Sequence, residues 1–314
     1  MRGFFIVLVM KKLSLRTTII SISAIIGSAA IIAGVVFAAQ RTQPTSTNNK
    51  VQVVAGTNVW GDIASQIGGE NVQVTSVLSD PEVDPHLFEA DAKTASQISS
   101  AQLVIINGLD YDEFMQDLLK AAPSDNKTIL TVSDVLKVGA DANPHLWYDL
   151  PRINEVATAI QDELIKIDPA NTEKYQTNTK QFISELQPAI DKLTQINKSY
   201  KGKGVAYTER VAEYLLLDAG LVDKTPVDFA AAVESGIEPS PQQVQSFQSA
   251  LTSGAVAVLL YNNQAVNDMT KQVQATAEQS KVGVVGVGET VPPGKSFQGW
   301  QLDQLNQLLV ALQK

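Results

Sequence analysis

The chain has 314 residues, 44% of them hydrophobic, with two histidines and no cysteine. Disulfides, thiolate catalysis, Cys-ligated zinc and iron–sulfur clusters are therefore excluded, and a bound metal would need imidazole, carboxylate or carbonyl ligands. Past residue 50, 18 Lys and Arg face 33 Asp and Glu, an acidic body that argues against a nucleic-acid partner and suits a cation.

The first 50 residues differ in kind. They hold six cations and no acid, the first acid being Asp62. After "KKLSLR", 23 residues from Thr17 to Ala39 run without a charge, long enough to span a bilayer as a helix. Basic residues before the stretch predict that its N-terminal side stays in the cytoplasm. It reads as an uncleaved anchor or a long signal peptide cut near "VFAAQ", with Met1 or Met10 as the start. Both readings export the body. "QRTQPTSTNNK" (residues 40–50) is a polar tether.

From Val51 short apolar runs alternate with helical patterns. "VQVVAGT" predicts a strand, "NVWGDIASQIGG" a helix and "NVQVTSVLS" a strand. "DAKTASQISSA" (helix), "QLVIING" (strand), "DYDEFMQDLLKAA" (helix) and "KTILTVSD" (strand) follow. From about 151 to 200 strands stop. "LPRINEVATAIQDELIKI" predicts one amphipathic helix. A second, long one carries a stripe of Tyr175, Phe182, Leu186, Ile190, Leu193 and Ile196. Asp168-Pro169 marks its start, and Pro188 is expected to kink or break it.

After "KGKG" the alternation resumes. "GVAYTE" is a strand, "RVAEYLLLDAG" and "PQQVQSFQSALTSG" helices, and "AVAVLLYNN" a strand. "QAVNDMTKQVQATAEQSK" (helix), "VGVVGVGE" (strand) and a closing helix from Phe297 complete the chain. The expected class is α/β: two lobes with mostly parallel sheets, joined by one long helix. Residues 1–50 would be anchor or signal plus tether, 51–150 the first lobe, 151–202 the helical connection and 203–314 the second lobe. Ligands in such sheets sit beyond the carboxyl ends of strands, and the cleft between two lobes is the default site.

His86 and His145 share a setting. Each follows Asp-Pro or Asn-Pro and precedes Leu and an aromatic, in "VDPHLF" and "NPHLW". Pro85 and Pro144 stiffen the approach, so each imidazole is presented from a restrained loop. A lone histidine of this kind is ordinarily a capping or core residue; two in one context point to metal. Two imidazoles leave a first-row metal short of ligands, and carboxylates would complete the set. Glu209 ends "GVAYTE" and Glu289 ends "VGVVGVGE". Either alone reads equally as a helix-start carboxylate favoured by the dipole. With the histidines they make a His2Glu2 shell, two ligands from each lobe.

At these residues the chain resembles the metal-binding solute-binding proteins of zinc/manganese ABC transporters. The matching stretches include "NVWGDIASQIGGENVQVTSVLSDPEVDPHLFE", "NPHLWYDLPRI", "EKYQTNTKQFISEL" and "TERVAEYLLLDAGL", within 51–314. The resemblance implies two α/β lobes bridged by a rigid helix, with one metal in the cleft. It implies Glu209, five residues before Tyr214, as third ligand and Glu289 as fourth. It further implies one Zn2+ or Mn2+ per chain as cargo, an ABC permease as partner, and a monomeric body outside the cytoplasmic membrane.

Three departures matter. There is no lipid-acceptor Cys, so the apolar N-terminal helix is expected to replace a lipid anchor. The loop around Pro81–Asp84 is short and not His-rich. The third ligand is Glu and not His, a harder donor that raises the case for manganese or ferrous iron, although zinc accepts carboxylates too. Catalysis is not expected: four protein ligands leave zinc no open position, and no third histidine could act as base. A metal-dependent hydrolase and a surface adhesin with a structural metal are the alternatives.

Overall fold

The computed structural model describes residues 50–81, 83, 92–123 and 127–314. His86 and the Thr17–Ala39 stretch lie outside them. Among the described residues no helix is long and apolar enough to cross a membrane. Residues Lys50–Lys314 form one compact unit.

The first sheet is built from β1 (Val51–Thr57), β2 (Val72–Leu78), β3 (Leu103–Ile106) and β4 (Thr128–Thr131), in the order β2-β1-β3-β4 and parallel throughout. β3 is buried along its whole length, as expected for a strand covered on both faces. Its helices are α1 (Asn58–Gly68), α2 (Ala92–Ser100), α3 (Glu113–Ala121) and the single turn α4 (Val132–Val135). α1 stops at Gly69, whose φ of 55° a side chain would resist.

The connection opens with two 3-10 turns, Leu146–Tyr148 and Leu150–Arg152, and continues as α5 (Ile153–Ile167). The predicted helix "LPRINEVATAIQDELIKI" is therefore divided, with Pro151 in the opening turn. α6 (Thr172–Tyr200) is continuous over 29 residues. The predicted break at Pro188 does not occur. Proline removes one N–H, which orphans the Ser184 carbonyl, but both residues lie on the exposed face where water solvates it. The opposite face of α6 buries Tyr175, Phe182, Leu186, Leu193 and Ile196, but Ile190 only partly. Each fully buried large apolar side chain contributes roughly 1.5–3 kcal/mol.

The second sheet is built from β5 (Gly204–Tyr207), β6 (Val222–Asp223), β7 (Val258–Asn262) and β8 (Gly283–Val287), in the order β6-β5-β7-β8, again all parallel. Both sheets thus share one strand order although no repeat is visible in the sequence. α7 (Glu213–Asp218), α8 (Val227–Glu234), α9 (Pro241–Thr252), α10 (Asp268–Gln279) and α11 (Phe297–Leu312) accompany it. Capping boxes start α9 (Ser240 with Gln243) and α10 (Asn267 with Thr270). α6 packs on α1, α5 and α11, and one apolar core runs from the first sheet through these helices into the second. Phe182 of α6 stacks on Phe297 of α11.

Candidate metal centre

Parallel strands deliver their successors to one edge, and the second sheet uses that edge directly. Glu209 lies two residues past β5 and Glu289 two residues past β8. Between them runs β7, whose last residue is Asn262; Leu260 pairs with Tyr207 and Asn262 with Val287. The register puts Asn262 level with Glu209 and just short of Glu289. Its amide Nδ2 donates to Glu209 Oε2 at 2.6 Å and to Glu289 Oε1 at 2.7 Å. Glu209 sits at the mouth of the 3-10 turn Arg210–Ala212, yet its side chain makes no cap hydrogen bond. The carboxylate turns instead toward Asn262 and is buried.

His145 arrives by a longer route. Asn107, at the end of β3, donates from Nδ2 to the Pro144 carbonyl and accepts from Trp60 Nε1. The turn after β3 is shaped by Asp112, whose carboxylate accepts the N–H groups of Asn107 and Gly108. Gly108 has φ 82°, and a Cβ there would meet Ser133 Oγ at 2.3 Å, so no other residue fits. Burial pushes the Asp112 carboxyl up to about 6. Asn143 accepts both the His145 N–H and its ring Nδ1, at 3.0 and 2.7 Å. Asn143 Nδ2 donates to the Arg210 carbonyl and to Glu213, and Tyr214 donates to the Asn143 carbonyl. Tyr214, five residues after Glu209, therefore ties the second half of the chain to the NPHLW loop. Trp147 and Tyr111 meet the imidazole edge-on, with centroids 5.4 and 5.8 Å away.

These routes converge. His145, Glu209 and Glu289 are buried, and one ligand atom from each lies within 4.8 Å of the others. His145 Nε2 is 3.2 Å from Glu289 Oε2. Because Nδ1 faces an acceptor whose amide nitrogen is committed elsewhere, Nδ1 carries a hydrogen and Nε2 is turned toward the carboxylate. Two acceptors so placed are held together by a proton or by a metal cation. Tyr111 donates to the same Glu289 oxygen at 3.0 Å. Burial first, and then the Glu289 charge, hold its phenol well above the usual value, so it remains a donor. Gln264 accepts the Glu289 N–H and donates to the Val83 carbonyl, on the segment that leads toward His86. Three of the four sequence-predicted ligands are thus brought together, and the fourth lies outside the described residues.

Sequence reasoning missed Asn262, Gln264 and Tyr111 and gave Asn143 no role. The only signal was the polar ending of an otherwise apolar strand in "VLLYNNQ" and the Asn of "NPHLW".

Two all-parallel sheets of matching order, with a buried imidazole and two buried carboxylates at their carboxyl edges, define a class of two-sheet α/β protein with an enclosed cation-type site. The family model described as zinc-uptake complex component A, periplasmic, matches residues 53–311. The chain belongs to that family. The manganese-binding lipoprotein MntA of Bacillus subtilis (strain 168) is 28% identical over 149 residues, 45% of this chain and 48% of that protein. The chain spans about half the length of the first curated relatives it matches. The manganese ABC transporter substrate-binding lipoprotein scaA of Streptococcus gordonii is 23% identical over 88% of this chain and 93% of its own length. Among solved structures, the periplasmic zinc-binding protein TroA of Treponema pallidum shares the fold with a TM-score of 0.71, at 16% identity over 84% of this chain and 99% of that one.

Proposed function

We propose that the protein captures one divalent transition-metal ion, zinc or manganese, outside the cytoplasmic membrane and passes it to an ABC permease. The observation that carries this reading is the convergence of His145, Glu209 and Glu289, all buried, with ligand atoms within 4.8 Å of one another. Two carboxylates and one imidazole are a donor set suited to both ions. His86 is the proposed fourth ligand. Family membership supports the transport role, as does the likeness to the manganese ABC transporter substrate-binding lipoprotein scaA.

The chemistry of capture follows from the residues. Imidazole ligates a metal only through an unprotonated nitrogen, so protons compete with the ion and binding weakens in acid. Asn143 holds the imidazole with its Nε2 lone pair directed inward. Burial strengthens attraction between the ion and the carboxylates, because little water screens them. With His86 as fourth ligand the cargo would have no open position at which a substrate could be activated, which favours carriage over hydrolysis. We further propose that residues 51–150 and 203–314 act as two lobes about the site and that the body works as a monomer. The uncharged Thr17–Ala39 stretch is proposed to hold it at the membrane or to be removed on export.

The test is elemental analysis of the purified body from Val51, followed by competitive zinc and manganese titration. One ion per chain is expected. A stoichiometry of zero would overturn the reading.

A further inference from the structure

Asn262 is buried and neutral, and its side chain is fully committed. Its Oδ1 accepts the Gln264 N–H at 3.0 Å, which fixes the amide so that Nδ2 faces the carboxylates. Its backbone N–H donates to Thr208 Oγ1, anchoring the strand end one residue before Glu209. From that fixed nitrogen, one hydrogen goes to Glu209 Oε2 and the other to Glu289 Oε1. A single nitrogen thus sets both the spacing and the rotation of two buried anions. Glu289 is held at its other oxygen as well, by Tyr111.

We propose that Asn262 is a positioning residue that restricts Glu209 and Glu289 to one ligand oxygen each and thereby biases the site toward zinc over manganese. This rests on the reading of the site as a metal centre. At Glu209 the hydrogen bond on Oε2 withdraws charge from that oxygen and leaves Oε1 as the better donor; at Glu289 Asn262 occupies Oε1, and Oε2, which Tyr111 steadies, is the oxygen that faces His145 Nε2. His145 Nε2 and one oxygen from each carboxylate make a sparse set, which suits an ion content with four ligands. Manganese prefers about six, mostly oxygen. With the amide removed, Glu209 is able to turn and chelate through both oxygens, and Glu289 Oε1 is released beside an Oε2 that Tyr111 still holds, raising the three donors from the described residues to as many as five. β7 places Asn262 between the two carboxylates through strand register alone, so the bias is part of the sheet.

The test uses the wild-type body with Asn262→Ala and Asn262→Ser, the serine keeping one donor. Competitive titration gives the zinc-to-manganese affinity ratio, and X-ray absorption of the manganese-loaded proteins gives the number of first-shell donors. The expected result is a ratio lowered by about tenfold in Asn262→Ala, the scale of a lost supporting partner. Asn262→Ser should fall between, and the alanine variant should gain oxygen donors around manganese. A ratio equal to wild type in both variants, whatever their absolute affinities or melting temperatures, would overturn the proposal and leave the metal centre standing. Wild-type protein that takes up neither ion would instead overturn the reading of the site, and this inference with it.

Discussion

The carboxyl edges of the two sheets solve the same placement problem in opposite ways. The second sheet sets Glu209 and Glu289 two residues beyond β5 and β8, where backbone pairing with β7 has already decided where they stand. One amide, from Asn262, then orients both. The first half of the chain delivers His145 from a loop well past β4, and that loop is secured by side chains: Asn107 under Pro144, Asn143 on the ring, and Trp147 and Tyr111 around it. A donor at the end of a paired strand inherits its position. A donor on a loop needs a scaffold of side chains, and its accuracy depends on each of them.

The comparison can be tested most severely at the donors themselves. His145→Ala and Glu289→Gln are expected to lower metal affinity by more than the roughly 10–100-fold that loss of a supporting partner costs, read by competitive titration. Wild-type affinity in either would remove that residue from the site. Next comes the loop scaffold: Asn143→Ala should weaken binding by about 10–100-fold, through loss of ring orientation. Gln264→Ala, which loosens a strand-held donor, should cost less. The reverse order would refute the contrast drawn between strand and loop.

A smaller effect concerns selectivity. Glu209→His exchanges a hard anionic oxygen for a softer nitrogen, so the zinc-to-manganese ratio should rise even if both affinities fall. The helical signal of the apo protein should stay close to wild type, because the Glu209 side chain caps nothing. The smallest effect is on stability without metal. Asp112 has a folded value of about 6 against 3.8 for the free side chain, burial being the main cause. The charged form is therefore the penalised one, and the stability Asp112 contributes is full below the unfolded value and lost as pH rises through about 6. Between pH 7 and pH 5 wild type should gain about 1 kcal/mol or more relative to Asp112→Asn. Apo melting at the two pH values checks it.

Much of this was readable in the sequence because it is local. Runs such as "LVII" and "VLLYN" gave the central strands by composition, and the α6 stripe gave its length. β6 escaped because it is two exposed residues paired at an edge, too short to carry a period. α8 was missed because "VDFAAAVE" offers little contrast between its faces. The candidate ligands were proposed from their setting after strands and prolines. Their supporters were not, since Asn262 reaches Glu209 across 53 residues of chain and Tyr111 reaches Glu289 across 178. Only the parallel register joins such positions, and a single sequence does not display it. The same holds for the direction of the Glu209 side chain, which makes no cap hydrogen bond.

Asn58, at the start of α1, grips the chain just beyond Glu289 from both sides. Its Nδ2 donates to the Val291 carbonyl at 2.8 Å, and its Oδ1 accepts the Val291 N–H at 2.9 Å. Nearby, Asp62 accepts the Phe297 N–H. One side chain here imitates a strand neighbour and completes a two-bond clasp across 233 residues of sequence. Glu289 is two residues from that clasp, so it cannot swing away from the first half of the chain while the clasp is closed. For an ion bound there as proposed, release would have to wait on the opening of these few hydrogen bonds.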